Sequence, residues 1–293
     1  MKVRKAVIPA AGWGTRFLPA TKAQPKEMLP IVDRPGIQYI VEEAVASGIE
    51  DIIFITGRNK KSLEDHFDRS MELEVFLQER GKQDLAEEIK EISNLADIHY
   101  VRQKEPKGLG HAILCARKFI GQEPFAILLP DDIISAEVPC LKQMIAVHNK
   151  SGSTVIAIRE VPDEDVSKFG IIKGKPEGEN VFLIEDLVEK PSLSTAPSRL
   201  AVIGRYIVPA RIFDLLEKTK PGAEGEIQLT DALRELCRTE KMLGYQFAGT
   251  RFDVGDKIGF LQANVTFALA NTEFGDRFRL FLQQTLSPKA KKK

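Results

Sequence analysis

Short apolar runs alternate with longer stretches of helical periodicity through the first half of this chain. Ala6–Ile8, Ile52–Ile55, Ile98–Val101 and Phe125–Leu129 have the length of buried strands, and the second is rich in β-branched residues. Between them, Ile37–Ala46 places Ile40, Val41, Ala44 and Val45 on one helical face, with Gly48 as its stop. Leu63–Phe67 opens another helical stretch. Met71–Ile92 is strongly charged, with apolar positions at Leu73, Phe76, Leu77, Leu85 and Ile89, and predicts helices on a surface or an interface. Leu109–Phe119 predicts one further helix. Apolar strands separated by helices imply a mostly parallel sheet covered on both faces. The expected fold class is therefore α/β, doubly wound and Rossmann-like, with a ligand site beyond the C-terminal ends of the strands.

The second half carries fewer helices. Thr154–Ile158, Ile171–Lys173, Val181–Glu185 and Leu200–Val208 read as strands of a mixed or antiparallel extension, a smaller β-rich part that forms a second pocket. Ile212–Glu217 and Leu229–Arg238 read as helices, and Ile258–Ala270 and Phe274–Leu286 as two closing helices. There is no internal repeat and no low-complexity linker. The expectation is a single domain over 1–293, with functional parts at about 1–150, 151–257 and 258–293.

Composition narrows the class. The chain has 293 residues, with 42 basic and 42 acidic side chains, which argues against a nucleic-acid surface spread over the whole protein. Cys115, Cys140 and Cys237 are far apart and odd in number, suggesting neither a disulfide framework nor a CxxC metal site, and a reducing cytoplasm fits them. No apolar run approaches the roughly 20 residues that span a bilayer, so no membrane partner is expected. Met1–Lys5 is charged and lacks the apolar segment of a signal peptide. Lys289–Lys293 is expected to be a solvated tail.

The chemistry concentrates in Ala6–Pro30. The first strand leads into Gly12-Trp13-Gly14-Thr15-Arg16, followed by Pro19, Pro25 and Pro30 with Lys22 and Lys26 among them. Glycines let the backbone approach a ligand, and turned N–H groups favour an anion. Three cations beside them imply a multiply charged anion, a nucleoside triphosphate. Two other glycine loops are excluded. A dinucleotide fingerprint needs a third glycine where Phe17 stands, and Pro19 opposes the helix it requires. Gly57–Ser62 lacks the glycine that a P-loop places before its lysine.

Three further stretches could serve such a site. Asp131 and Asp132 stand where an apolar strand ends, placed for a metal or for a local turn. Gln103, before Pro106-Lys107-Gly108, could pair its amide with a pyrimidine edge or lie in solvent. Glu189 and Lys190 point to opposite faces of a strand, unless the chain ends or bends at Pro191.

At this point a resemblance is plain. Gly14-Thr15-Arg16-Phe17-Leu18-Pro19-Ala20-Thr21-Lys22, then Pro25–Pro30, through Ile37-Gln38-Tyr39, resembles the signature of nucleotidyltransferases that join a sugar 1-phosphate to a nucleotide. The likeness extends over roughly Arg4 to Leu286 and is nearest to the bacterial uridylyltransferases. It implies UTP and glucose 1-phosphate as substrates, Mg²⁺ as cofactor, and a homodimer or homotetramer. It implies catalytic roles for Arg16 and Lys26, and nucleotide contacts at Ala11, Gly12, Gly14, Thr15, Gln103 and Gly108. The metal would lie on Asp131, with Asp132 supporting, and on Asp253, with Asp256 close by. The sugar phosphate would meet Gly170, Glu189, Lys190 and Gly204. Thr230-Asp231 also matches but reads equally as a helix start. Trp13 departs from the pattern, standing where a smaller aliphatic residue is expected, and bears on base selectivity.

The chemistry implied is attack of a phosphate monoester, already ionised near neutrality, on the α-phosphorus of UTP. No general base is required, which suits a chain with four histidines and no nucleophile–His motif. The same fold could act on another pair, dTTP or an N-acetylhexosamine 1-phosphate. A non-catalytic nucleotide-binding regulator is a further reading, against which Arg16, Lys26, Asp131 and Asp253 together speak.

Overall fold

A computed structural model describes residues 2–222 and 225–287; the Lys289–Lys293 tail lies outside them. Strand β1 (Lys5–Ala10) leads through three single 3-10 turns to the small hairpin β2 (Pro30–Ile31) and β3 (Arg34–Pro35), then helix α1 (Gly36–Ala46). There follow β4 (Asp51–Thr56), α2 (Lys61–Phe67), α3 (Met71–Glu79), α4 (Gln83–Ser93) and β5 (Asp97–Arg102). Next come α5 (Leu109–Leu114), α6 (Arg117–Ile120), β6 (Phe125–Leu128), β7 (Asp132–Ser135), α7 (Cys140–Ser151) and β8 (Thr154–Glu160). The second half contains β9 (Gly170–Gly178), β10 (Val181–Glu189), β11 (Leu200–Val208), α8 (Ile212–Lys218), α9 (Leu229–Cys237), β12 (Met242–Gln246) and β13 (Thr250–Asp253). Helices α10 (Lys257–Ala270) and α11 (Gly275–Leu286) end the described chain.

Among the described residues, a 9-stranded sheet runs β5-β4-β1-β6-β11-β8-β12-β10-β9. The first four strands are parallel, with Ala6 opposite Ile52 and Ala126. β11 then pairs antiparallel with both β6 and β8, and β10 antiparallel with β12 and β9. Both halves of the chain thus share one mixed sheet, as the strand-rich second half predicts.

Period-two alternation builds a core on each face. Ala6, Ile8, Ile52 and Phe54 pack with Ile37, Ile40 and Val41 of α1, Leu63 of α2 and Met144 of α7. Val7, Ile53 and Ile55 pack on the other face with Ile113 of α5, Phe213 of α8 and Leu233 of α9. Among the described residues, no helix is long and apolar enough to cross a membrane.

One helical expectation changes in detail. Leu109–Phe119 is two helices, because i→i+3 bonds from Cys115 N to Ala112 O and Ala116 N to Ile113 O tighten the chain between them. Met71–Ile92 forms helices as expected, α3 and α4, divided near Gly81, which takes φ 70. The antiparallel pair β7–β13, with Asp253 opposite Asp132, has no counterpart in the sequence pattern.

One interior interaction positions the strand ends. Arg205 of β11 is fully buried, and Glu43 of α1 receives its Nε at 3.1 Å and its Nη2 at 2.8 Å. Its other N–H groups reach the carbonyls of Leu129 (3.1 Å), Gly204 (2.9 Å) and Asp132 (2.6 Å). All five guanidinium donors are used. Glu43 Oε1 also accepts Leu141 N of α7 at 3.1 Å. Burial opposes the charge on Arg205, but Glu43 outweighs it and holds the guanidinium above its ordinary value. Removing one partner strands the other charge in the interior. Glu43→Ala should therefore cost about 3–5 kcal/mol in urea unfolding, and Arg205→Met should cost less than Arg205→Ala, because it keeps more of the buried volume.

Candidate active site

The loop after β1 is shaped by backbone rather than side chains. Gly14 lies at φ 66, and its carbonyl accepts Phe17 N at 3.1 Å and the Thr21 hydroxyl at 2.7 Å. A Cβ at Gly12 would meet nothing within 4 Å, so this face of the loop is open. Prolines keep the next stretch from forming one helix: Thr15–Phe17, Ala20–Lys22 and Lys26–Met28 are single 3-10 turns, each with a proline within two residues of its ends. A cleft of about 470 Å³ opens here, lined by Gly12, Lys26, Gln103, Gly108, Asp131 and Glu226 among others. It lies beyond the C-terminal ends of parallel strands, as expected for the fold.

Lys26 and Asp131 meet in this cleft as an ion pair. Burial works against the Lys26 charge, but Asp131 and Glu27 outweigh it and raise its pKa above the ordinary lysine value. The next side chain points inward: Glu27 is buried and its Oε2 accepts Lys60 Nζ at 2.7 Å. Burial pushes the Glu27 carboxyl up, partly offset by Lys60 and Lys26. Its Oε1 has no partner.

The aspartates divide their work. Asp132 is buried, accepts Gly204 N at 3.0 Å and pairs with Arg251. Burial drives its pKa up against the pull of Arg251 and Arg205. It ties the turn to β11 and β13. Asp131 is partly exposed, and its carbonyl accepts Val254 N at 2.8 Å, which brings β13 alongside. A Cβ at Gly255 would lie 2.8 Å from Asp131 Oδ2 and 3.2 Å from Asp253 Oδ1, so both carboxylates flank that glycine. Among the described residues, no group of three or more His, Cys, Asp or Glu could hold a metal. Two carboxylates completed by phosphate and water oxygens are the donor set of a hard cation. Asp256 is the N-cap of α10, accepting Ile258 N at 2.9 Å, and is thereby separated from Asp253 in role. Arg16 reaches Gly255 O at 3.5 Å.

Gln103 follows β5, and its Nε2 donates to Gly108 O at 3.2 Å and meets His111 Nδ1 at 2.9 Å. Gly108 takes φ 92 and packs on Glu226 and Ile227. Ala11 lies under the same wall, close against Gly57.

On the sugar side, β10 ends at Glu189 and Lys190 takes φ 44, so the chain does bend before Pro191. Glu189 Oε2 accepts the Thr230 hydroxyl at 2.6 Å and lies 3.2 Å from a Cβ built at Gly170. Lys190 remains exposed, 3.9 Å from Glu189 Oε1. Gly204 has a different task from the backbone access expected of it. It is buried, its N–H is taken by Asp132 and its carbonyl by Leu129 N and Arg205, and a Cβ there would lie 2.5 Å from Asp132 Oδ2. Sequence reasoning missed Glu43, Lys60 and Arg251; it named Thr230 as a family match without giving it a role. Glu43 stands on the apolar face of α1, three residues after Ile40, which is the one signal it offers.

A mixed sheet flanked by helices, with a glycine loop, a lysine and two aspartates at its strand ends, defines a protein that handles phosphates through charge. The chain belongs to the nucleotidyl transferase family, whose model matches residues 5–268. It is 54% identical over 286 residues to the UTP–glucose-1-phosphate uridylyltransferase of Bacillus subtilis (strain 168), covering 98% of each chain. A UDP-glucose pyrophosphorylase solved with UDP-glucose aligns with TM-score 0.85 and 47% identity, over 92% of this chain and 100% of that one. The UTP-bound UGPase from Acinetobacter baumannii aligns with TM-score 0.90 and 42% identity, over 96% and 99%.

The wall at Gly108 admits no side chain: a Cβ would stand 2.7 Å from Glu226 Cβ. Gly108→Ala should destabilise the fold by about 1–3 kcal/mol, as expected of an L residue in a glycine-only backbone region. It should also raise the KM for the nucleotide. Thermal melts and initial rates check the two effects together.

Proposed function

We propose that this chain transfers the uridylyl group of UTP to glucose 1-phosphate, giving UDP-glucose and pyrophosphate. The convergence of Lys26, Asp131 and Asp253 at the strand ends carries this reading, together with relatives named for that reaction. The sugar phosphate attacks the α-phosphorus in line. It brings its own negative charge, so the protein's task is to position two anions and offset their repulsion. Lys26 stands where charge builds on the α-phosphate, and Arg16 and the Gly12–Thr15 loop face the phosphates beyond it. Mg²⁺ fits the oxygen donors of Asp131 and Asp253, and when bound it would neutralise phosphate charge.

Gln103 reads the base. With Nε2 committed to Gly108 O and His111, its Oε1 is the acceptor for the N3–H of a uracil ring. Thymine presents the same edge, so this contact does not separate UTP from dTTP. Trp13, 70% exposed on the cleft wall, is placed to bear on that choice. Glu189, fixed by Thr230, serves the glucose hydroxyls, and Lys190 its phosphate. Gly170 keeps that floor clear. The strand order β5-β4-β1-β6, with helices on both faces, supports a doubly wound, Rossmann-like nucleotide half. The apolar side chains that α10 and α11 leave exposed, Ile258, Leu261 and Phe281 among them, support a homo-oligomer. Three dispersed free cysteines fit a cytoplasmic setting.

Pyrophosphate release measured with Mg²⁺ across a grid of nucleoside triphosphates and sugar 1-phosphates should peak at UTP with glucose 1-phosphate. A peak elsewhere would retain the reaction and reassign the substrates. No release anywhere would remove the enzymatic reading. Lys26→Gln should lower kcat about 10²–10³-fold, by analogy with loss of one oxyanion donor, with a much smaller effect on Tm.

A further inference from the structure

A second cleft, of about 510 Å³, lies against the nucleotide cleft and shares Ala11, Gly12, Trp13, Thr15, Gln103 and Pro106 with it. Its own side is built from the turn after β4 and the proline-rich turns after β1, and it carries Lys22, Arg58 and Lys104. Its lining includes no carboxylate. Lys60 also lines it, but that ammonium is spent on Glu27, which faces the neighbouring cleft. Among the described residues, no acidic side chain pairs with Lys22, Arg58 or Lys104, although 42 acids match 42 bases in the whole chain. Glu105, next in sequence to Lys104, is paired with Lys107 at 2.5 Å. Three unpaired cations in one concave wall raise the local potential and favour a small, highly charged anion.

We propose that this annex binds inorganic pyrophosphate and receives the leaving group as it departs the reaction site. The assignment rests on the reaction proposed above, which releases that anion next to the shared glycine loop. Bond cleavage leaves pyrophosphate beside Arg16 and Lys26, where the same charges that assisted its departure hold it back. Unpaired cations on the far side of the Gly12–Thr15 wall offer the anion a continuous path of positive potential to solvent. Arg58 supplies planar paired donors for phosphate oxygens, and Lys22 and Lys104 act as point charges. The site takes no part in bond making.

Calorimetric titration with pyrophosphate alone, and separately with UDP-glucose, tests this on the full chain and on the double variant Arg58→Gln/Lys104→Gln. Both side chains are exposed, and a melt confirms that the variant folds. Pyrophosphate affinity should fall roughly tenfold in the variant while UDP-glucose affinity changes less than about twofold, as expected for loss of two charge-assisted contacts at a separate subsite. Equal pyrophosphate affinity in the two proteins would overturn the annex. So would parallel weakening of both ligands, or failure of the unmodified chain to bind pyrophosphate. If the unmodified chain bound pyrophosphate but not UDP-glucose, the assigned reaction would fall, and the variant's pyrophosphate affinity would still decide the annex.

Discussion

The guanidinium of Arg205 and the carboxylate of Glu43 form an ion pair inside the protein, and the geometry of the site hangs on it. Taking both charges out of water is costly, and their attraction offsets this only where the remaining donors and acceptors are also satisfied. Here they are. The guanidinium joins α1 to the carbonyls of Leu129 and Asp132, which bracket the turn carrying Asp131. An apolar pair of similar volume could fill the same space, but it would not hold those two carbonyls at fixed distances. The pair is therefore best understood as a device for position.

A second buried pair mirrors it on the opposite wall. Lys60 reaches Glu27 from the turn after β4, and Glu27 is covalently next to Lys26. Lys26 and Asp131 are thus each flanked in sequence by a residue anchored in the interior, Glu27 and Asp132. Arg251 adds a third tie, pairing with Asp132 and Asp253 while lying over the ring of Phe169 at 5.0 Å. That contact connects β13 to the chain leading into β9. Charges arranged this way need little reorganisation when substrate arrives, which is the condition under which electrostatic assistance is large.

The fold was legible where its signal is local and periodic. Apolar runs located the parallel strands, and the stripe Ile40, Val41, Ala44 located α1. The pair β7–β13 was not legible, because four-residue strands joined across 119 positions leave no local period. The site was legible in its parts. Gly12, Gly14, Lys26 and Asp131 stand out as residue types in context, and their family resemblance supplied roles. What held them was hidden. Glu43 and Arg205 lie 162 residues apart, and each looks like an intruder in an apolar segment until the other is known. Gly204 carried the opposite lesson: a glycine beside proposed ligands suggested backbone access, whereas the structure uses its small size to let Asp132 approach.

The four histidines each have a partner of their own. His111 holds Gln103, His66 meets Gln38 at 3.0 Å, His148 meets Ser153 O at 2.8 Å, and His99 lies beside Asp51 on an edge strand. None of the four lines the Lys26–Asp131 cleft. Burial lowers His111 below the usual histidine range, which keeps it neutral and able to accept from the Gln103 amide. In the free protein Lys26 spends its charge on Asp131. Burial would disfavour that charge, and Asp131 with Glu27 outweighs the cost. An ion pair of this kind keeps an enclosed ammonium charged, so the cleft presents fixed positive charge beside the glycine loop.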